Sequence, residues 1–434
     1  MTDKIYKLGI DIGNKLVKIV GDGQEQPMVY PASLARYEEV SYIFSNNIDY
    51  LEENGFEIFS LEKDNEESCY VWGKNIFKFG QAVIDTNGTG ESRYDNQLYK
   101  KLVLFAIAKY VEELYNQELS DKVVLSLAMG MPDDEYLSTA GQDFEVIQWL
   151  IGEHVVFIDN LPIEFEVKNI EVLPQEFGSL VLFEKMKGGI TPDVRTLIID
   201  YGGMTRLRTV YDGFQQREIN QDTLGVNRLI RLLVDKIKTK GINNNRRNNQ
   251  INIQEMLISK NYKMKTGVST EEDLTSLFKK EIKNYGKRRF EEEVYSGQAF
   301  NNIDLVILTG GGANLLEHTI YSQFGQEIWI PEQPETANVR GFYEYLKSHP
   351  LSNQSKNKEE ELQNGERSFN LGDKVRISEG AVAEENGYDL KSHRTWEGIV
   401  TEINNGKDDR RLYTIEYPSG DKNLYVNEKD LIKI

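Results

Sequence analysis

Residues 5–20 read IYKLGIDIGNKLVKIV. Leu8, Ile10 and Ile12 alternate, Gly13 interrupts, and Val17 and Ile19 resume the pattern. Such alternation around a glycine predicts two short strands joined by a tight turn, with Asp11 near the end of the first strand. Residues 196–211, TLIIDYGGMTRLRTVY, repeat this order. An apolar strand Thr196 to Ile199 leads to the turn Asp200-Tyr201-Gly202-Gly203, and a second strand runs from Leu207 to Tyr211. One such hairpin alone reads as a turn capped by an aspartate. Two of them, in separate halves of the chain, point to two lobes built on one plan.

The residue types fit phosphate chemistry. A glycine in the turn lets backbone N–H groups approach a phosphate oxygen with no Cβ in the way. An aspartate at a strand's carboxyl end projects to the sheet edge where open α/β sheets bind ligands. There it would hold hydrated Mg²⁺, which takes few carboxylates and keeps several waters. Lys18 would neutralise phosphate charge. A third element, Leu308-Thr309-Gly310-Gly311-Gly312-Ala313-Asn314, lies at a strand-to-helix junction, where three glycines allow close approach to a phosphate or adenosine. A fourth, Leu173-Pro174-Gln175-Glu176, precedes a helix, and a Gln or Glu there could orient an attacking water. Taken alone, that fourth segment reads as an ordinary helix start. The Walker pattern G-x-x-x-x-G-K-[ST] is absent, and no G-x-G-x-x-G follows the first strand.

Between these elements, apolar spacing predicts a helix over 98–118, a buried strand from Val123 closing at Gly130-Met131-Pro132, and two strands over 155–173 flanked by Pro162 and Pro174. Helices follow at about 176–187, 223–239, 271–295 and 337–347, with a polar loop at 243–249. Residues 352–366 hold a single large apolar residue, Leu362, and read as a solvated linker. After it come short strands at 374–377, 398–400, 412–417 and 423–426, the pattern of a small β-barrel.

Composition bounds the reading. At roughly 150 residues per domain, 434 residues allow two to four domains. The 39% hydrophobic content, with 18 Phe and 23 Tyr, supports sizeable cores. The 51 basic and 70 acidic residues give a net charge of −19, which disfavours broad contact with nucleic acid or anionic lipid. A lone cysteine, Cys69, excludes an internal disulfide, and no apolar run is long enough to span a bilayer. The expectation is a cytoplasmic protein with no direct nucleic-acid or membrane partner.

In combination these motifs resemble the actin-like ATPase superfamily. Asp11 to Lys18 resembles its first phosphate motif, Asp200 to Thr205 the second, and Leu305 to Asn314 the adenosine motif. The runs GMPDDEY (130–136), LPQEFGSL (173–180), TLGVNRLI (223–230) and VRGFYEYL (339–346) resemble the ParM-like plasmid-partition filament proteins. The resemblance covers about residues 5–347. It implies an actin-like duplicated two-lobe α/β fold with ribonuclease-H-like lobes: lobe I over 1–190 with a return segment 327–347, and lobe II over 191–326. Beyond it, the strand pattern itself, not the resemblance, predicts a linker over 348–366 and a Src-homology-three-like small barrel over 367–434.

The resemblance also implies roles. Gln175 and Asp200 would be catalytic, and Asp11 and Asp200 would take Mg²⁺. Gly13, Asn14, Lys15, Lys18, Gly202, Gly203, Met204, Thr205, Gly310, Gly311, Gly312 and Ala313 would bind ATP or GTP. The Gly225-Val226-Asn227-Arg228 turn falls where relatives approach ribose and base. Two departures stand out. Asn14 and Lys15 follow the glycine where Ser or Thr is usual, and Leu207 stands where the second phosphate motif often carries Asp.

The implied function is a nucleotide-driven filament, with the chain itself as partner and an adaptor on centromere-like DNA as the second. Competing readings are a sugar or acetate-type kinase of the same superfamily and a nucleotide-regulated binding protein. The barrel carries 11 Lys/Arg against 13 Asp/Glu, without the basic excess of a nucleic-acid reader. Its aromatics Trp396, Tyr413, Tyr417 and Tyr425 fit a core or a peptide groove. Arg246-Arg247 and Lys287-Arg288-Arg289 read as solvated faces or as contacts to an acidic neighbouring subunit.

Overall fold

Two sheets in the first 350 residues share one plan, as seen in a computed structural model of the chain. It describes residues 4–44, 49–63, 68–86, 93–116, 122–132, 135–136, 145–242, 249–267, 269–295, 302–315 and 327–349 of this unit. In the second unit it describes 374–377, 382–383, 388–389, 397–405, 411–416, 422–427 and 431–433.

In the first sheet, β1 (Ile5–Ile12), β2 (Leu16–Gly21) and β3 (Met28–Pro31) form an antiparallel meander. β1 then pairs in parallel with a later strand, Val123–Met131, which pairs in parallel with Leu161–Pro174. The intervening chain supplies β4 (Ser33–Arg36), α1 (Tyr37–Phe44), α2 (Asp49–Glu53), β5 (Phe56–Ser60), β6 (Tyr70–Gly73), β7 (Val83–Asp85) and α3 (Gln97–Tyr115). With β8 (Val123–Met131), β9 (Gly152–Ile158) and β10 (Leu161–Pro174), the sheet order is β3-β2-β1-β8-β10-β9-β5-β6-β4-β7.

The second sheet repeats the core of this arrangement. β11 (Arg195–Tyr201), β12 (Arg206–Asp212) and β13 (Gln215–Asp222) form the meander. Parallel strands follow at Leu305–Thr309 and Glu327–Trp329. The elements before them are α5 (Asn227–Thr239), α6 (Gln250–Ser259), the ribbon β14 (Lys263–Lys265) with β15 (Glu271–Asp273), and α7 (Thr275–Tyr295). α4 (Phe177–Lys187) connects the two halves, and α8 (Ala337–Ser348) follows the last strand. With β16 (Leu305–Thr309) and β17 (Glu327–Trp329), the order is β13-β12-β11-β16-β17.

The alternation read in the sequence becomes two-sided burial. On one face of the second sheet, Ile198, Leu305 and Ile307 pack with Leu180 and Phe183 of α4. On the other, Leu197, Ile199, Val306 and Leu308 pack with Leu229, Leu233 and Ile237 of α5. α8 lies on the first sheet, where Phe342 and Leu346 bury against Ala128 and Leu173. α3 is capped by Asn96, whose side chain accepts from the N–H of Leu98 at 2.8 Å, and its Leu102 to Ala108 run is buried. The helix expected over 98–118 is thus enclosed on most sides.

Several expectations are revised. Residues 327–329, expected in the return segment of the first lobe, pair with β16 in the second sheet, and α8 is the element after them that packs on the first sheet. Pro162 lies inside β10, opposite Phe157, instead of flanking a strand. The sequence reading passed over β13, whose QQREINQD composition is that of a solvated edge strand, and it did not resolve α6. The loop at 243–248, the Asp133-Asp134 pair and the linker at 352–366 lie outside the described residues.

In the second unit, β18 (Lys374–Ile377), β19 (Val382–Ala383), β20 (Tyr388–Asp389), β21 (Glu397–Asn405), β22 (Arg411–Glu416), β23 (Lys422–Asn427) and β24 (Leu431–Lys433) are described. Five form an antiparallel sheet in the order β23-β22-β21-β18-β24, and β19 pairs with β20. Val375, Val400 and Ile415 are buried. Among the described residues no pairing closes β23 onto β24. Trp396 and Tyr417 lie outside them, while Tyr413 falls in β22 and Tyr425 in β23.

Candidate functional site

The shared plan of the two sheets puts both hairpin turns at strand ends that face each other. Asp11 and Asp200 are 1% and 5% exposed. Lys18, on β2 and directly opposite Asp11 in the ladder, places its Nζ 2.7 Å from Asp11 Oδ2. Two carboxylates and one ammonium therefore share a nearly dry space between the sheets. Burial alone would lower the affinity of Lys18 for its proton, but Asp11 and Asp200 outweigh it and hold the ammonium above its usual range. Asp200 is pushed up to about 6 by burial; Lys18 opposes this, Asp11 reinforces it, and a hydrogen bond from Asn338 opposes it again.

The glycine segments close around this group. Gly310 has φ +80°, and a Cβ there would stand 2.1 Å from Asp200 Oδ1 and 2.7 Å from the Tyr201 carbonyl. Only glycine lets the β16 turn come this near the carboxylate. Gly312 N–H donates to Tyr201 O at 2.9 Å, and the buried Ala313 donates to Gly310 O at 3.1 Å. Where a helix is expected to open at Ala313, the described residues form a 3-10 turn over Ala313–Leu315; the residues after it lie outside the described ones. Gly311 faces open space, with Glu335 Cβ the nearest atom at 4.0 Å from a built Cβ.

The two turns also meet directly. A Cβ on Gly203 would lie 3.4 Å from Lys15 Cγ. Lys15 reaches out of the turn to Asp85 of β7, with Nζ to Oδ2 at 2.8 Å. Gly13 N–H closes its turn on Leu16 O at 2.9 Å, with half-buried Asn14 between Gly13 and Lys15. The start of α5 caps the second turn: Gly225, Val226 and Asn227 donate to the carbonyls of Met204, Gly202 and Gly203 at 3.2, 3.0 and 2.8 Å. Met204 is exposed and Thr205 half-buried.

Gln175 is half-buried at the carboxyl end of β10, its N–H on Met131 O at 2.9 Å. In the sheet order β10 is separated from β1 by β8 alone. Glu176, beside it, is wholly buried.

The donor set fits a magnesium nucleotide. Among the described residues no group of three or more His, Cys, Asp or Glu could hold a metal by itself. Two carboxylates beside a lysine and three turns of backbone amides suit an ion that completes its shell with water and phosphate oxygens. Asp11 and Asp200 are the residues that would hold it.

Residues 9–178 match the family described as actin like proteins N terminal domain. Among solved structures, the apo psk41 ParM protein aligns with a TM-score of 0.58 at 21% identity, over 82% of this chain and 100% of that one. This is an actin-like fold. A second structure similar to this chain is an archaeal actin homolog in complex with ADP, with TM-score 0.60 at 16% identity, over 80% and 100% of the two chains. A third is the Alp12 filament structure, with TM-score 0.56 at 17% identity, over 80% and 99%. No curated protein sequence matches the chain. Among the described residues, no helix is long and apolar enough to cross a membrane.

The sequence reading missed Asn338, Ser179, Glu335 and Asp85. Asn338 sits one residue before the VRGFYEYL run that was read, and near a helix start an asparagine passes for a cap. Its side chain makes no cap here; it donates to Asp200 Oδ2 at 3.0 Å.

Proposed function

We propose that the chain is a nucleoside triphosphate hydrolase that polymerises when it holds ATP or GTP with Mg²⁺. The observation that carries this reading is the cluster of Asp11, Lys18 and Asp200 at two facing hairpin turns, closed over by the Gly310 turn. A buried cluster of this kind needs a polyanion and a cation to complete it, and bound triphosphate supplies the first. When bound, Mg²⁺ would neutralise developing charge on the phosphates.

The chain's own residues divide the remaining work. Lys18 holds negative charge at the turn ends and can exchange its contact with Asp11 for one to phosphate. The Gly13, Gly202 and Gly310–Gly312 turns give phosphate oxygens room by lacking Cβ atoms, while the Gly13, Gly310 and Gly312 N–H groups hold the turns in shape through Leu16, Pro334 and Tyr201 carbonyls; Asn14, Lys15, Met204, Thr205 and Ala313 complete the surround. Asp200 accepts a proton or a hydrogen bond from the attacking water, and Gln175 orients that water. A fold that brings two lobes together over such a ligand couples its occupancy to lobe closure, and thereby to the surface offered to a second copy.

Assembly is supported by the similarity to a chain solved as a filament. The runs at 130–136, 173–180, 223–230 and 339–346 support the finer reading, segregation of plasmid DNA through an adaptor bound to centromere-like DNA. A net charge of −19 fits indirect contact with DNA. The 367–434 region, as a small barrel, would bind a partner or join filaments laterally. Placement in the cytoplasm accords with these partners.

Right-angle light scattering with pelleting tests the reading. On addition of Mg-ATP or Mg-GTP, scattering is expected to rise and then decay as phosphate is released. A flat trace with normal nucleotide binding would refute polymerisation and favour a kinase. Asp200→Ala or Gln175→Ala with an unchanged rate of phosphate release would remove that residue from the catalytic assignment.

A further inference from the structure

The amide that holds Asp200 comes from a helix of the other half of the fold. Asn338 is 3% exposed and lies in the first turn of α8, which packs on the first sheet through Phe342 and Leu346. Asp200 is the penultimate residue of β11 in the second sheet. Their hydrogen bond of 3.0 Å, Asn338 Nδ2 to Asp200 Oδ2, therefore spans the two halves.

With Asp200 ionised, one orientation of the Asn338 amide satisfies both of its neighbours. Its Oδ1 accepts from Ser179 Oγ, on α4. Flipped, it would set an acceptor against the Asp200 carboxylate. Ser179 Oγ also lies 3.0 Å from Thr309 Oγ1, and the Thr309 hydroxyl donates to Pro334 O at 3.0 Å. Pro334 O takes in addition the N–H of Gly310 at 3.0 Å. Asp200 is thus bounded at Oδ2 by Asn338 and at Oδ1 by the Gly310 turn, and both supports lead back to residues 334–338.

That segment is fixed by the crossing of α4 and α8. A Cβ on Gly341 would stand 1.6 Å from Gly178 O, and one on Gly178 would stand 2.2 Å from Asn338 O. The two backbones touch with no side chain between them, one residue from Ser179 and at Asn338 itself. Asn338 is held to the first sheet through Phe342 and Leu346 of α8, while Ser179 adjoins Leu180, which packs with Phe183 on the second sheet.

We propose that Asn338 is a positioning residue for Asp200, so that the setting of the two sheets, defined at the α4–α8 crossing, is transmitted to the carboxylate through one side-chain amide. Closure over a ligand and orientation of the reacting carboxylate are then one event. The kinetic part of this inference rests on the proposed hydrolysis; the conformational part does not.

The test uses the full-length chain carrying Cys69→Ser, Lys78→Cys and Lys240→Cys, with spin labels on the two exposed new cysteines, one in each half. Distance distributions are recorded without nucleotide, with Mg-ATP and with Mg-GTP. Asn338→Asp keeps the shape but sets two acceptors face to face, and is expected to broaden or displace the nucleotide-free distribution. Asn338→Ala is expected to lower kcat by about tenfold or more, from the loss of a buried hydrogen bond to a charged group, with KM changed less than about threefold. Ser179→Ala is expected to lower kcat less. The double variant should fall no further than Asn338→Ala, because the two side chains form one chain of bonds.

A nucleotide-free distribution in Asn338→Asp identical to the parent's would overturn the proposal. So would additive losses in the double variant, or a kcat unchanged by Asn338→Ala. Should Asn338→Ala fail to fold, Asn338→Asp and Ser179→Ala carry the same comparisons. A parent that binds neither nucleotide would refute the proposed function, and the nucleotide-free distances would still decide the role of Asn338.

Discussion

Replacing Asp200 by asparagine is expected to stabilise the fold at neutral pH, by an amount that depends on pH in a specified direction. Burial raises the Asp200 carboxyl from 3.8 to about 6, after the opposing pull of Lys18 and the Asn338 hydrogen bond and the added push of Asp11. Between about pH 4 and pH 6 the native chain therefore binds more protons at this group than the unfolded chain does. Stability falls as pH rises through that window. At about 1.4 kcal/mol per pH unit, ionised Asp200 costs the fold about 3 kcal/mol by pH 7. Asp200→Asn keeps the shape, still accepts the Asn338 N–H, and removes the charge, while Lys18 retains Asp11 at 2.7 Å.

The variant should thus exceed the parent by about 2–3 kcal/mol at pH 7, with the gap closing toward pH 4. Urea denaturation followed by circular dichroism, at half-unit steps from pH 4.5 to 7.5, reads the difference directly. Acidic groups that do not interact with Asp200 titrate alike in both proteins and cancel; Asp11, which does, also loses a repulsive neighbour in the variant, an effect of the same sign at pH 7. A gap that does not vary with pH, or a parent more stable at pH 7, would refute the reasoning. The same change should abolish phosphate release, the familiar exchange of stability for function at a buried charged site.

Lys18→Met leaves two buried carboxylates facing one another, so it should cost about 3–5 kcal/mol at pH 7 and much less at pH 5, read by the same titrated denaturation. Gly310→Ala, with a positive φ and a Cβ 2.1 Å from Asp200 Oδ1, should destabilise severely and abolish nucleotide binding; Gly311→Ala, which meets nothing closer than 4.0 Å, should leave the melting temperature within about a degree. Lys15→Ala breaks an exposed pair with Asp85 and should change stability by less than about 1 kcal/mol by denaturant midpoint. Deleting residues 352–434 should alter filament bundling or partner capture by pelleting while nucleotide hydrolysis persists; loss of nucleotide binding would contradict separate units.

Sequence alone determined the two hairpins, the glycine junction at 310–312, most of the helices and the actin-like plan. Each of these is a local pattern: an aspartate and glycine at a strand end, alternation on a pleat, apolar spacing along a helix. A polar edge strand such as β13 carries little apolar signal, since one face and one edge are solvated, and so it went unread. The candidate site was legible as a set of motifs, because each proposed phosphate-binding segment is a turn whose chemistry lies within a few residues. The tertiary structure alone decided which groups meet. Asn338 and Asp200 are 138 residues apart, and Ser179 and Asn338 are 159 apart. A hydrogen bond of that separation leaves no periodicity or spacing in the chain. It exists because two glycines let α4 and α8 cross in backbone contact, and that closeness is a property of the packed helices.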